Sequence, residues 1–296
     1  MSEISTQAAE SAQKPKAASR LRFVVPNLIT ATSLTVGVAS IFMSLSGKFY
    51  WAGWMVLISV LLDKLDGTSA RLLKASSRFG VEFDSLADLV AFGVAPAAFV
   101  FSVLSQNALY QGHTLHIVAL AVSCGIYVLC AALRLGRFNV EATLGGNDVY
   151  FGLPMPMAGG FVVSGLLVLM KYAPERFVYH QWAGDYSVLG SFSSPDVVFR
   201  FFWVHVLLVA YLMVSSLKVP KPKKTGTFTG DAYLIGNMLI TYIVIPFRVF
   251  PEYLWFVALQ YLLISVYYAF FTQRSKRHHK RAFMDVLALP PLEEKD

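Results

Sequence analysis

Residues 63–88 read DKLDGTSARLLKASSRFGVEFDSLAD, and the rest of the chain is best read outward from them. Asp63, Asp66, Asp84 and Asp88 fall in two pairs, each joined to an apolar run: Trp54 to Leu62 leads into the first, and Leu86 to Leu104 carries the second. Residues three or four apart share a helix face, so each pair presents its carboxylates on one side. Two such faces turned together place four hard oxygen donors around one small volume. Carboxylates that close repel one another, more strongly beside a low-dielectric interior. One divalent cation or two would relieve this, and oxygen-only ligands favour Mg²⁺, Mn²⁺ or Ca²⁺ over zinc. Gly67 leaves room for a ligand to approach. Arg71 follows one turn later, as a phosphate clamp would, and Gly80 is expected to break the chain between the two helices. Ionisable groups at membrane spans are functional candidates by default.

The remainder of the sequence supplies those spans. The chain has 296 residues and only 15% charged residues, and its mean hydropathy is +0.55. That is too apolar for a soluble domain of this size. The net charge of +7 is no nucleic-acid signal, because the basic residues sit between apolar runs. Cys124 and Cys130 share one apolar run, which reads as buried thiols and not as a disulfide framework or a zinc site.

Eight runs are long enough to span, at roughly 25–45, 51–70, 85–104, 116–135, 153–172, 199–217, 233–249 and 254–271. The seventh is short and interrupted by Pro246. The expected fold is all-α and polytopic, with about eight transmembrane helices. An even count puts both termini on one side. That side then collects every Lys and Arg except Lys48, Lys171, Arg176, Arg200 and Arg248. The positive-inside rule makes it the cytoplasmic side, and the acidic stretch lies there too. Tyr50, Trp51, Trp54, Trp203, Tyr253 and Trp255 fall near the outer interface, as belt residues do. Three parts are expected: a disordered cytoplasmic leader (1–22), a transmembrane catalytic body (23–272) and a basic cytoplasmic tail (273–296). The basic linker 218–224 and the tail suit anionic headgroups.

Further polar residues stand at the cytoplasmic ends of the spans. Pro26 suits a helix start. Asn27 and Thr30 share a face there, and two readings stand: helix–helix hydrogen bonding, or contact with a polar headgroup. Arg134 and Arg137 are three apart with Asn139 following. They read either as snorkelling anchors or as a clamp for a carboxylate or phosphate. GLPMP at 152–156 would distort a helix opening and line a cavity. A carboxylate cluster holding paired divalent ions suits displacement at phosphorus, with a free carboxylate taking the proton of the attacking hydroxyl.

The spacing D-x2-D-G-x2-A-R-x8-G-x3-D-x3-D, from Asp63 through Gly67, Ala70, Arg71 and Gly80 to Asp84 and Asp88, resembles the complete signature of the CDP-alcohol phosphotransferase family. The resemblance implies a CDP-linked donor with CMP as leaving group, and two divalent ions, Mg²⁺ or Mn²⁺. It implies Asp63, Asp66 and Asp84 as metal ligands, with Asp88 both near the metals and acting as base. Gly67, Ala70, Arg71 and Gly80 would line the CDP portion, and Asn27 and Thr30 would join them. Three stretches, FDSLADLVAFGVAPA (83–97), RLGRFN (134–139) and GLPMP (152–156), resemble the membrane-integrated phosphatidylserine synthases within that family. This implies CDP-diacylglycerol and L-serine as substrates, a place in the inner membrane among its lipids, and a homodimer. Arg134, Arg137 and Asn139 would then contact the acceptor. Thr68 and Gly136 depart from commoner residues without touching an expected metal ligand. A phosphatidylcholine synthase or another CDP-diacylglycerol-dependent transferase is the alternative within the class, and an ion-coupled transporter the alternative outside it.

Overall fold

The computed structural model describes residues 17–75, 77–143, 149–173, 188, 195–220 and 228–272. Ten helices are described: α1 (Ala17–Leu45), α2 (Phe49–Leu72), α3 (Arg78–Asp88), α4 (Ala95–Ser105), α5 (Thr114–Thr143), α6 (Met155–Lys171), α7 (Asp196–Arg200), α8 (Phe202–Val214), α9 (Phe228–Phe247) and α10 (Pro251–Thr272). A π-helical turn, Leu89–Val94, joins α3 to α4 without a break. Each of the eight expected runs contains a helix. Arg22–Leu45, Arg78–Ser105, Thr114–Val140 and Thr229–Phe247 are long and apolar enough to cross a membrane, while α6 and α8 are apolar but shorter. The protein is an all-α polytopic membrane protein.

Apolar residues occupy both the inside and the outside of this bundle. Trp54, Phe92, Phe99, Leu166 and Leu167 are fully buried, while Leu28, Val122, Leu129, Leu208 and Ile243 face outward. Helices hydrophobic all round belong in lipid, where no polar face is required. Without a hydrophobic force between helices, small side chains and hydrogen bonds hold them together. Ser59 donates to the carbonyl of Ser33 at 3.2 Å and Ser40 to that of Ala52 at 2.8 Å, tying α1 to α2. A Cβ on Gly37 would lie 3.0 Å from the Cα of Ala91, so α1 and the π-helical turn touch backbone to backbone.

Two contacts sort the loops by end. β1 (Val149–Phe151) pairs antiparallel with β2 (Lys218–Pro220), a short ribbon that the helical periodicity of the flanking runs does not announce. It brings the loops after α5 and α8 together. At the other end Tyr50 donates to the carbonyl of Arg248, and Lys171 pairs with Glu252 at 2.6 Å.

Several local expectations are corrected. Pro26 lies inside α1, which already begins at Ala17. A proline there leaves the Arg22 carbonyl without its helical bond and crowds it with the ring, near the exposed N-terminal end of the helix. Pro246 likewise lies inside α9, and the chain reverses just after it, with Arg248 and Phe250 at φ 56° and 50°. Gly80 does not break the chain. The helix breaks after Leu72, with Lys74 at φ 49°, and Gly80 is already helical. Ser77 caps α3 by accepting the Gly80 amide at 3.0 Å. Cys124 and Cys130 are free thiols; Cys124 is buried as expected, whereas Cys130 is only partly buried. Residues 1–16 of the leader, the tail from 273 and most of the loop 174–194 lie outside the described residues.

Candidate active site

The site forms where the C-terminal part of α2 meets α3. Asp63, Asp66 and Asp84 each offer a carboxylate oxygen, and these oxygens all lie within 4.8 Å of one another. Asp88 lies one turn beyond Asp84 on the same helix, close enough to Asp63 for the two carboxyl groups to interact. Carboxylates this close stay together only with a shared proton or a cation between them. The donor set is all oxygen and anionic, which fits Mg²⁺ or Mn²⁺. The two pairs predicted from spacing are therefore brought face to face.

Around them lies a cleft lined by Asn27, Thr30, Asp66, Gly67, Ala70, Gly80 and Asp84, together with Pro26, Ala75, Ser77 and Val81. Thr30 is buried, with its hydroxyl 2.8 Å from Asp66 Oδ2 and 3.1 Å from the Pro26 carbonyl. This is the helix–helix hydrogen bond of the first reading, and its partner is one of the clustered carboxylates. A Cβ on Gly67 would meet nothing within 4 Å, whereas one on Gly80 would lie 3.0 Å from Asn27 Oδ1 and Ser77 Oγ. Gly67 thus opens onto ligand space, and Gly80 lets α3 approach α1. Arg71 turns back along its own helix, donating from Nε to the Gly67 carbonyl at 3.0 Å, and is not in the cleft lining. Ala75 and Ser77 were missed. For Ser77 a signal existed, a serine just before an amphipathic segment.

The arginine pair divides. Arg137 is 5% exposed, which excludes a snorkelling anchor. Its guanidinium donates to the carbonyls of Val214 at 3.2 Å, Ser215 at 3.3 Å and Met213 at 3.4 Å, and to that of Phe151. It gathers the last carbonyls of α8 and the end of β1, a helix C-terminal role for a cation. Gly152, at φ 74°, must be glycine: a side chain there would strike the Met213 carbonyl and Arg137. The GLPMP stretch thus packs on Arg137, and none of its residues is in the cleft lining. Arg134 is also buried, bonds the Leu153 carbonyl through Nε at 2.8 Å, and interacts electrostatically with Asp88. Asn139 donates to Ser85 Oγ at 3.1 Å, next to Asp84. From α9, the phenol of Tyr242 lies near enough to Asp63 to sense its charge, a juxtaposition that sequence spacing does not reveal.

Residues 23–192 match the family model described as CDP-alcohol phosphatidyltransferase. The chain is 36% identical over 202 residues to a Helicobacter pylori (strain ATCC 700392 / 26695) protein named CDP-diacylglycerol–serine O-phosphatidyltransferase, covering 68% of this chain and 74% of that one. A Bacillus subtilis (strain 168) protein of the same name is 37% identical over 201 residues, 68% of this chain and 92% of its own. One from Saccharomyces cerevisiae (strain ATCC 204508 / S288c) is 34% identical over 194 residues, 60% of this chain and 62% of its own. The chain belongs to the CDP-alcohol phosphatidyltransferase family and is an integral membrane transferase.

Proposed function

We propose that this protein transfers the phosphatidyl group of CDP-diacylglycerol to the hydroxyl of L-serine, giving phosphatidylserine and CMP. The observation that carries the reading is the convergence of Asp63, Asp66 and Asp84 beside a cleft lined by Asn27, Thr30, Gly67, Ala70 and Gly80. The printed names of the relatives support serine as the acceptor.

The cleft takes the CDP portion, with Gly67 giving the diphosphate room and Asn27 offering its amide to the headgroup. Asp63, Asp66 and Asp84 hold the metal, which we take to be two Mg²⁺ or Mn²⁺ ions; Asp88 lies against Asp63 at their edge. When bound, the ions neutralise the diphosphate charge and stabilise the departing CMP. Asp88 takes the proton of the serine hydroxyl as its oxygen bonds to the β-phosphorus and the bond to the CMP oxygen breaks. Arg134, which faces Asp88, meets the serine carboxylate. Arg137, engaged with backbone carbonyls, holds the wall behind it. Arg71, at the rim, swings to the phosphates only on ligand binding.

The body, residues 23–272, crosses the inner membrane eight times. Both termini, the basic tail and the cleft face the cytoplasm, where serine is met, and CDP-diacylglycerol comes from the bilayer. The distribution of Lys and Arg supports this orientation. The proposed assembly is a homodimer.

The test is CMP release by purified protein in detergent with CDP-diacylglycerol and Mn²⁺ or Mg²⁺. Serine, glycerol 3-phosphate, inositol phosphate and choline are offered separately. Release with serine alone is expected. Release with a different alcohol keeps the site and overturns the acceptor, and release with none of them overturns the reading.

A further inference from the structure

The second carboxylate pair sits on α3, which departs from α-helical geometry immediately after it. Directly after Asp88 the chain enters the π-helical turn Leu89–Val94, where the Ala95 amide bonds back to the Val90 carbonyl five residues earlier. Such turns are rare and occur mostly as single bulges inside α-helices, frequently at functional sites. Here a Cβ on Gly159 of α6 would lie 3.3 Å from the Phe92 carbonyl oxygen, so backbone meets backbone. Tyr127 of α5 is 0% exposed, and its hydroxyl donates to that same Phe92 carbonyl at 2.9 Å. A second hydrogen bond from α5 to this segment is the Asn139 amide on Ser85 Oγ at 3.1 Å, and Ala131 of α5 stands against Gly93 of the turn. One hydrogen bond adjoins Asp84, and the other lies one turn past Asp88.

We propose that α5 is a two-point brace for the second carboxylate pair, with Tyr127 and Asn139 as positioning residues that hold Asp84 and Asp88 against Asp63 and Asp66. A one-residue slip in helix phase turns a side chain by about 100°, which would carry both carboxylates off the cleft. A metal ligand set tolerates a displacement of only about 0.5 Å. The brace rests on the reading of the carboxylates as a metal site. It gives Asn139 a partner in α3 in place of the acceptor.

The test is Mn²⁺ binding to the full-length protein in detergent, followed by loss of the free-ion paramagnetic resonance signal. Wild type is compared with Tyr127→Phe, Asn139→Ala and Ser85→Ala, beside thermal unfolding without metal and the KM for serine at saturating Mn²⁺. Tyr127→Phe keeps the ring and removes only the hydroxyl, so the core stays filled. Each substitution is expected to weaken Mn²⁺ binding about tenfold, the size of a loss that supports a ligand from behind, and to leave the serine KM unchanged. Wild-type Mn²⁺ affinity in all three variants, with or without a lower unfolding temperature, overturns the brace. A raised serine KM with intact Mn²⁺ binding in Asn139→Ala also overturns it and makes Asn139 an acceptor contact. Absence of Mn²⁺ binding in wild type is a different failure: it overturns the metal reading, and the brace with it.

Discussion

At the end of the bundle that carries residues 63–88, three carboxylates converge beside a cleft, and a Cβ on Gly67 in its lining would meet nothing within 4 Å. At the opposite end Lys171 sits 2.6 Å from Glu252, and Tyr172 donates to the same carboxylate oxygen at 2.6 Å. There, too, Tyr110 is fully buried, donating to the carbonyls of Phe199 at 2.9 Å and Arg200 at 3.1 Å. One end leaves like charges together and open; the other pairs opposite charges and closes. Like charges held close are unfavourable unless something binds between them. The first end thus has charge and room suited to a cation, and the second is closed by contacts within the chain.

The largest effect that would break this contrast lies at the open end. Asp84→Asn keeps the side chain's size and removes one anionic ligand. CMP release is expected to fall roughly a hundredfold to a thousandfold, the scale of losing one group that stabilises developing charge. The unfolding temperature without metal should hold or rise, because a repulsion has been relieved. Near-normal turnover in this variant would mean that the trio is not the reaction centre.

At the closed end the expected signs are reversed. Glu252→Gln removes the negative charge that lies 2.6 Å from Lys171, whose side chain is 11% exposed. Breaking a buried pair by removing one member costs about 3 kcal/mol, read as a lower unfolding temperature in detergent. Turnover per folded molecule should not change. A drop in turnover at unchanged stability would show that the far end takes part in the chemistry, and the contrast would fail.

The same contrast explains what could be read from sequence. The meeting of Asp63, Asp66 and Asp84 and the all-α, apolar character of the chain were legible because their signals are local: spacings of three and four residues, and the length of apolar runs. Gly80 was misread because the break at Lys74 carries no glycine or proline, while the demand on Gly80 comes from Asn27 on another helix. Arg137 was read as half of a clamp because its partners, the carbonyls of Met213, Val214 and Ser215, lie more than seventy residues away in sequence. Nothing beside residue 137 announces them. The π-helical turn was hidden for the same reason, since Gly37, Tyr127 and Gly159 come from three other helices to hold it.

The smallest expected effect separates space kept for a ligand from space left by chance. Gly67 lies within α2, where glycine is less favourable than alanine by about 0.5–1 kcal/mol. A methyl group there meets nothing within 4 Å. Gly67→Ala should therefore raise the unfolding temperature slightly while weakening CDP-diacylglycerol binding, seen as a raised KM for the lipid with the serine KM unchanged. A stabilised variant with unaltered lipid KM would mean that the donor does not approach the α2 backbone at this point. The diphosphate would then have to lie nearer Ser77 and Gly80, on the α3 side of the cleft.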